Sequence, residues 1–306
     1  MLRTILTVMM PCVLCVTPSF AATATSQSVP SLPRPTHADM KYGPHERNVL
    51  DAWLAKSDKP TPLLFFIHGG GWLNDDKKLL PPDTLQRMLD HGISVVSINY
   101  RYSSIAPLPA PVHDAARALQ FVRAHSAEWN IDKRRIAGSG VSAGGCTTLW
   151  LAYHDDLADA KSDDLIARES TRLCAAFALA GQTSIDVKVI PGWVGEKVLE
   201  HRMVSACVGA KDAADALAHY DQYAALYHEF SPINHVTADD PPVRVSYPKY
   251  AFPGANRREA IHHGNFGEKL KEKAAEVGAK VTLIYGTEIV PLPPDDDQWL
   301  IDQLTK

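Results

Sequence analysis

The stretch Gly140-Val141-Ser142-Ala143-Gly144 constrains this chain more than any other. It follows the strand-like run Arg135-Ile136-Ala137-Gly138 and opens a helix-like run from Ser142 to about Tyr153. A serine on so tight a turn from strand to helix needs neighbours without bulk on both sides, so that its hydroxyl projects. The amide of Ala143 then lies at a helix N-terminus, where backbone N–H groups point outward at an anion. A turn of this kind requires a sheet layered with helices around it.

The rest of the chain supplies that sheet. Pro62 to Ile67 is a short, continuous apolar run, which predicts a strand buried on both faces. Further strands are predicted at Ile93–Ile98, Leu173–Ala180, Val243–Tyr247 and Val281–Tyr285. Helices are predicted at 83–91 and around Ala115, Ala118, Leu119 and Val122, which share one face. Another carries Phe266, Leu270, Ala274 and Val277 on one side and charges on the others. Strand–helix alternation predicts an α/β class with a mostly parallel sheet flanked by helices. Residues 182–235 break the rhythm, so a helical insertion or cap is expected there. One domain over 39–306 accommodates everything from the first strand onward, without an internal repeat or linker.

A second motif stands in fixed relation to the first. His68-Gly69-Gly70-Gly71-Trp72 directly follows the 62–67 strand. A glycine loop at that point can present bare backbone N–H groups to the oxyanion of a tetrahedral intermediate. His68 is read as a residue that shapes the loop through hydrogen bonds, not as a base.

These stretches resemble the α/β-hydrolase fold of hormone-sensitive-lipase-type carboxylesterases, including bacterial esterases related to feruloyl and acetyl-xylan esterases. The likeness is carried by Tyr42-Gly43, Val49-Leu50-Asp51, His68–Trp72, Asn99-Tyr100-Arg101 and His113-Asp114-Ala115-Ala116. It continues through Asn130-Ile131-Asp132, Arg135-Ile136, Gly140–Gly145, Ser231-Pro232-Ile233 and Asp240–Val243, and so covers about residues 40–250. The resemblance implies a serine hydrolase cleaving a carboxylic ester, with Ser142 as nucleophile. It further implies Ala143 and two glycines of the 69–71 run, taken as Gly70 and Gly71, as oxyanion donors.

The chain departs from the family at the other two catalytic positions. In such esterases the acid follows the penultimate strand and the histidine follows the last one. Residues 241–258 contain no Asp or Glu, and no histidine lies between Gly286 and Lys306. One alternative places the base at His262 or His263, taken as His263, with Glu288 or one of Asp295–Asp297 as an orienting acid. Triads are defined by geometry and roles, so a changed chain order is permitted. A serine–histidine pair without an acid is a second alternative; loss of the acid alone costs on the order of 10⁴ in kcat in well-studied proteases. A non-catalytic relative that binds an ester on the same fold is the third.

The remaining candidates are read as structural. His113 is expected to be a turn or cap residue, and His154 to end the serine's helix, where a cation is favoured. The acidic run Asp155, Asp156, Asp159, Asp163 and Asp164 lacks the spacing of a calcium loop and reads as solvated surface. Trp193 is expected to be a core residue. No cofactor or metal is implied.

Residues 1–22 carry Arg3, an apolar run from Ile5 to Val16 and small residues at Ser19, Ala21, Ala22 and Ala24. This is the pattern of a signal peptide, with cleavage after Ala21 or Ala24, and predicts an exported protein. Residues 23–38 read as a flexible leader. Three cysteines then remain, Cys146, Cys174 and Cys207, an odd number that implies no disulfide framework. The 31 basic against 35 acidic side chains and a net charge of −4 argue against a nucleic-acid partner. A small-molecule or polysaccharide-borne ester is the expected partner.

Overall fold

The computed structural model describes residues 2, 32–286 and 294–306. The expected signal peptide (Leu2 aside), the leader up to residue 31 and Glu288 lie outside the described residues.

Eight strands form one sheet: β1 (His37–Lys41), β2 (Val49–Trp53), β3 (Thr61–Ile67), β4 (Ser94–Ile98), β5 (Ile131–Val141), β6 (Ala175–Leu179), β7 (Val243–Pro248) and β8 (Val281–Gly286). Their spatial order is β1-β2-β4-β3-β5-β6-β7-β8. The β1–β2 and β2–β4 pairings are antiparallel and the five others parallel, so the sheet is mostly parallel as expected. Every residue of β3, β4 and β6 is buried, as continuous apolar runs require when helices cover both faces.

The helices are α1 (Pro82–Asp90), α2 (Ala110–Ala124), α3 (Ala143–Tyr153), α4 (Ile190–Val194), α5 (Met203–Ala206), α6 (Ala213–Ala218), α7 (Tyr220–Glu229), α8 (Arg257–Ile261), α9 (Asn265–Val277) and α10 (Pro294–Leu304). Strand side chains alternate between two cores. Leu63, Phe65 and Ile67 join Leu119 of α2, Leu149 of α3 and Phe266 and Leu270 of α9 on one face. Leu64 and Phe66 join Leu85 and Met88 of α1 and Leu300 and Leu304 of α10 on the other. Each fully buried Leu or Phe contributes about 1.5–3 kcal/mol relative to exposure, so the doubly covered strands fix the sheet's centre.

Three elements were not predicted. Strands β1, at the edge, and β2 begin the sheet, with β1 starting at His37, two residues ahead of the expected domain start. Helix α10 closes the second face; its acidic first turn, Asp295 to Asp297, suits a helix N-terminus. Between β6 and β7 lie α4 to α7 and two short 3₁₀ turns, Glu196–Glu200 and Pro232–His235. Among the described residues no helix is long and apolar enough to cross a membrane.

Candidate active site

Strand β5 delivers Ser142 to the carboxyl edge of the sheet, the edge at which open α/β sheets bind ligands. The Ser142 N–H donates to Leu179 O at the end of β6 (2.8 Å), and Ser142 O accepts from Cys146 N–H (2.8 Å), so the turn is fastened on both sides. Ser142 takes φ 54° and ψ −121°. A non-glycine residue at such a φ is strained and is held there only by its surroundings. The flanking glycines explain how. A Cβ on Gly140 would overlap the carbonyl of Gly144, and a Cβ on Gly144 would overlap the carbonyl oxygens of Ile67 and His68. Helix α3 can therefore begin hard against the end of β3 only without side chains at these two positions.

That contact also brings the glycine loop to the serine. A Cβ on Gly69 would lie 3.5 Å from Ser142 Cβ. His68 is fully buried and stacks on Tyr100 with ring centroids 4.2 Å apart. Its Nδ1–H donates to Gly69 O (3.0 Å), and the Tyr100 hydroxyl is shared between His68 O (2.9 Å) and Gly69 O (2.7 Å). Burial pushes the His68 pKa down to about 4, so it holds this loop as a neutral ring. Turning these carbonyls inward leaves the next amides free: among the described residues, the N–H groups of Gly70, Gly71 and Ala143 meet no protein acceptor. Gly70 and Gly71 reach this arrangement at φ 83° and 63°. Trp72, fully buried, locks the loop to α3 through Nε1–H to Thr147 Oγ1 (3.0 Å).

The histidine beside Ser142 is His262, not His263. His262 Nε2 lies 2.9 Å from Ser142 Oγ. The expected pairing with His263 is thereby corrected, and the reason is local. Adjacent residues at a helix end point about 100° apart, so only one of the two can face the serine. His263 turns inward, 3% exposed, where Nε2–H donates to Ala251 O (3.3 Å) and Nδ1 accepts from Asn265 N–H (3.1 Å). It ties the loop after β7 to the start of α9. His262 is held on the serine side by the extension of β6. There Gln182, fully buried, donates to Ile261 O (2.8 Å), and Thr183 Oγ1 donates to Phe266 O (2.9 Å).

No carboxylate among the described residues backs His262. Its Nδ1 lies 3.0 Å from the backbone carbonyl of Arg258, one turn earlier in α8. A carbonyl can only accept, so the neutral ring carries its proton on Nδ1 and presents a lone pair at Nε2 to the Ser142 hydroxyl. Burial, helped by the nearby His201 and Arg258 side chains, pushes the His262 pKa down to about 4 against the opposing pull of the Arg258 carbonyl. Of the acids proposed for this role, Glu288 lies outside the described residues, and Asp296 and Asp297 are engaged elsewhere. Asp296 pairs with Arg244 near the start of β7 (2.7 Å), and Asp297 accepts from Thr84 (3.2 Å) and faces Arg87 (3.6 Å). They tie α10 to the second face of the sheet, and burial lifts the Asp297 carboxyl to about 6.

The remaining candidates fall into place around the core. His113 lies inside the first turn of α2, not ahead of it, with its ring against Trp150 and Phe230. His154 caps α3, stacks on Trp150 and pairs with Glu229 (3.0 Å). Asp156 accepts the Thr171 and Ala158 amides, and Asp164 pairs with Arg117. Among the described residues no group of three or more His, Cys, Asp or Glu could hold a metal ion. Trp193 is partly buried beside Phe266, and its carbonyl accepts from Asn265 Nδ2 (2.6 Å). Cys146 and Cys207 are buried, Cys174 partly so, and all three are free.

Comparison with known proteins agrees with this fold. The BD-FAE family matches residues 50–247. A probable carboxylic ester hydrolase of Mycobacterium tuberculosis, LipM, is 30% identical over 218 residues, covering 68% of this chain and 46% of that protein. The chain spans about half the length of the curated relatives it matches. Among solved structures, a truncated carbohydrate esterase from gut microbiota superposes with a TM-score of 0.70 at 21% identity, covering 90% of this chain and all of that one. An acetyl ester-xyloside bifunctional hydrolase from Caldicellulosiruptor lactoaceticus superposes with a TM-score of 0.62 at 24% identity, covering 78% and 77% of the two chains. The fold is that of the α/β-hydrolases.

Proposed function

We propose that this chain, which belongs to the BD-FAE family, hydrolyses a carboxylic ester by acyl transfer through Ser142. The observation that carries the proposal is the Ser142 Oγ–His262 Nε2 contact of 2.9 Å on a strained turn, beside three amides without an acceptor among the described residues. His262 takes the Ser142 proton as Oγ attacks the ester carbonyl, and the Gly70, Gly71 and Ala143 amides hold the oxygen as it becomes an oxyanion. The imidazolium returns that proton to the departing alkoxide. Water then attacks the acyl-enzyme with His262 again as base, releasing the acid and restoring Ser142. The Arg258 carbonyl keeps the ring in its working tautomer throughout.

The names of the relatives support an ester as substrate, and the signal-like residues 1–22 support an exported enzyme acting on an environmental ester. An intact mass starting after Ala21 or Ala24 tests export; a retained N-terminus refutes it. The activity itself is tested with a short-chain nitrophenyl ester. Turnover by the wild type and its loss in a folded Ser142→Ala variant are expected. Equal turnover by the variant would overturn the mechanism, and no turnover by either would favour a non-catalytic ester-binding relative.

The pH profile follows from the depressed His262. Only the neutral ring can accept the Ser142 proton, and protonation sets in near pH 4 instead of near 6.5. The acid limb of kcat/KM is expected at about pH 4–5, with activity at pH 5.5 within about twofold of that at pH 7. A limb centred near 6.5 would place the ring in a far wetter or more anionic setting than the one described.

A further inference from the structure

A second histidine stands at the glycine loop. Helix α8 ends in His262, and the short turn Glu196–Glu200 packed against it ends in His201. A Cβ on Gly71 would lie 3.4 Å from Met203 Cβ and 3.7 Å from His201 Cε1. The ring carbon between the two imidazole nitrogens therefore faces the loop glycine itself. His201 Nδ1 accepts the Met203 N–H (3.3 Å), and Met203 is fully buried, which fixes the ring's orientation. With Nδ1 accepting, the proton of the neutral ring sits on Nε2. Burial, and the positive charge of Arg257, hold the ring in that neutral form. Among the described residues Nε2 meets no protein acceptor, so a donor is left over on a ring that stands against Gly71 of the glycine loop.

We propose that His201 donates its Nε2–H to the carbonyl oxygen of the bound ester as that oxygen becomes an oxyanion, supplementing the Gly70, Gly71 and Ala143 amides. This rests on the acyl-transfer reading of Ser142 and His262. The two imidazoles then divide the work: His262 moves the serine's proton, and His201 holds charge without giving up its own. A side-chain donor in this place also offsets, in part, the lack of a carboxylate behind His262 among the described residues.

The test compares a nitrophenyl ester with its thionoester in the wild type, His201→Phe, His201→Gln and Ser142→Ala, each checked for folding by circular dichroism. Sulfur is a weak acceptor, so the ratio of oxo to thiono turnover reads the oxyanion donors directly. Removing one such donor costs about 10²–10³ in kcat. His201→Phe is expected to lower kcat on the ester by about 10²-fold with KM within about threefold, and to shrink the oxo-to-thiono ratio about tenfold or more. His201→Gln, which keeps an N–H donor, is expected to recover most of both. A ratio unchanged in His201→Phe, or equal losses in Phe and Gln, overturns the role of His201 while Ser142→Ala stays inactive. Activity retained in Ser142→Ala would remove the acyl-transfer reading and this inference together. Should His201→Phe not fold, His201→Leu serves in the same comparison.

Discussion

His262→Ala is expected to lower kcat about 10²–10⁴-fold, the range that a positioned general base supplies, whereas His263→Ala keeps kcat within about tenfold of the wild type. The contrast between neighbours is the point. His262 reaches Ser142 Oγ at 2.9 Å, while both ring nitrogens of His263 are engaged with Ala251 O and Asn265 N. Losing His263 leaves the half-buried Asn265 amide without its partner, a cost of about 1 kcal/mol in stability. The two variants thus separate by readout: turnover falls in one, and the midpoint of chemical denaturation falls in the other. Equal kinetic losses in both, or a larger loss in His263→Ala, would contradict the assignment.

Gly144→Ala is expected to cost more than ~3 kcal/mol, at or above the upper end of ordinary overpacking. The added methyl would overlap the carbonyl oxygens of Ile67 and His68, which are backbone and cannot swing aside. Against a typical total stability of about 5–15 kcal/mol, that is a large share. The same displacement would push the glycine loop away from Ser142, so activity should fall together with the denaturation midpoint. A variant with wild-type midpoint and turnover would show that α3 can start farther from β3 than described.

The parts of this molecule that were legible in the sequence are those fixed by short-range chemistry. The turn at 140–144 and the loop at 68–72 need glycines in set places, and continuous apolar runs mark strands covered on both faces. Strands β1 and β2 gave no such run: β1 is an edge strand with every side chain exposed or half-buried, and the apolar run of β2 is broken by Asp51, buried through its ion pair with Lys77. Helix α10 was hidden by its three leading aspartates, which read as candidate acids; two of them, Asp296 and Asp297, anchor it to Arg244 and Thr84.

The choice between His262 and His263 could not be read from two identical adjacent residues. It is set by Gln182 and Thr183, which pin the chain on either side of them from the far side of the cap segment. The orienting group was beyond any search for Asp or Glu, since it is the main-chain carbonyl of Arg258, a group every residue possesses. His201 lies in the irregular segment between β6 and β7, where side-chain periodicity carries no signal. Its place beside Gly71 follows only from the packing of Met203 on that glycine.

The central claim is that Ser142 is a nucleophile activated by His262, and covalent labelling with a fluorophosphonate measures that activation without reference to any chosen substrate. Peptide mass spectrometry on the wild type is expected to place one adduct per chain on Ser142. The rate of labelling should drop at least about tenfold in His262→Ala and stay near wild type in His263→Ala. No adduct on Ser142 under conditions that label a known serine esterase, or an undiminished rate in His262→Ala, would contradict the account.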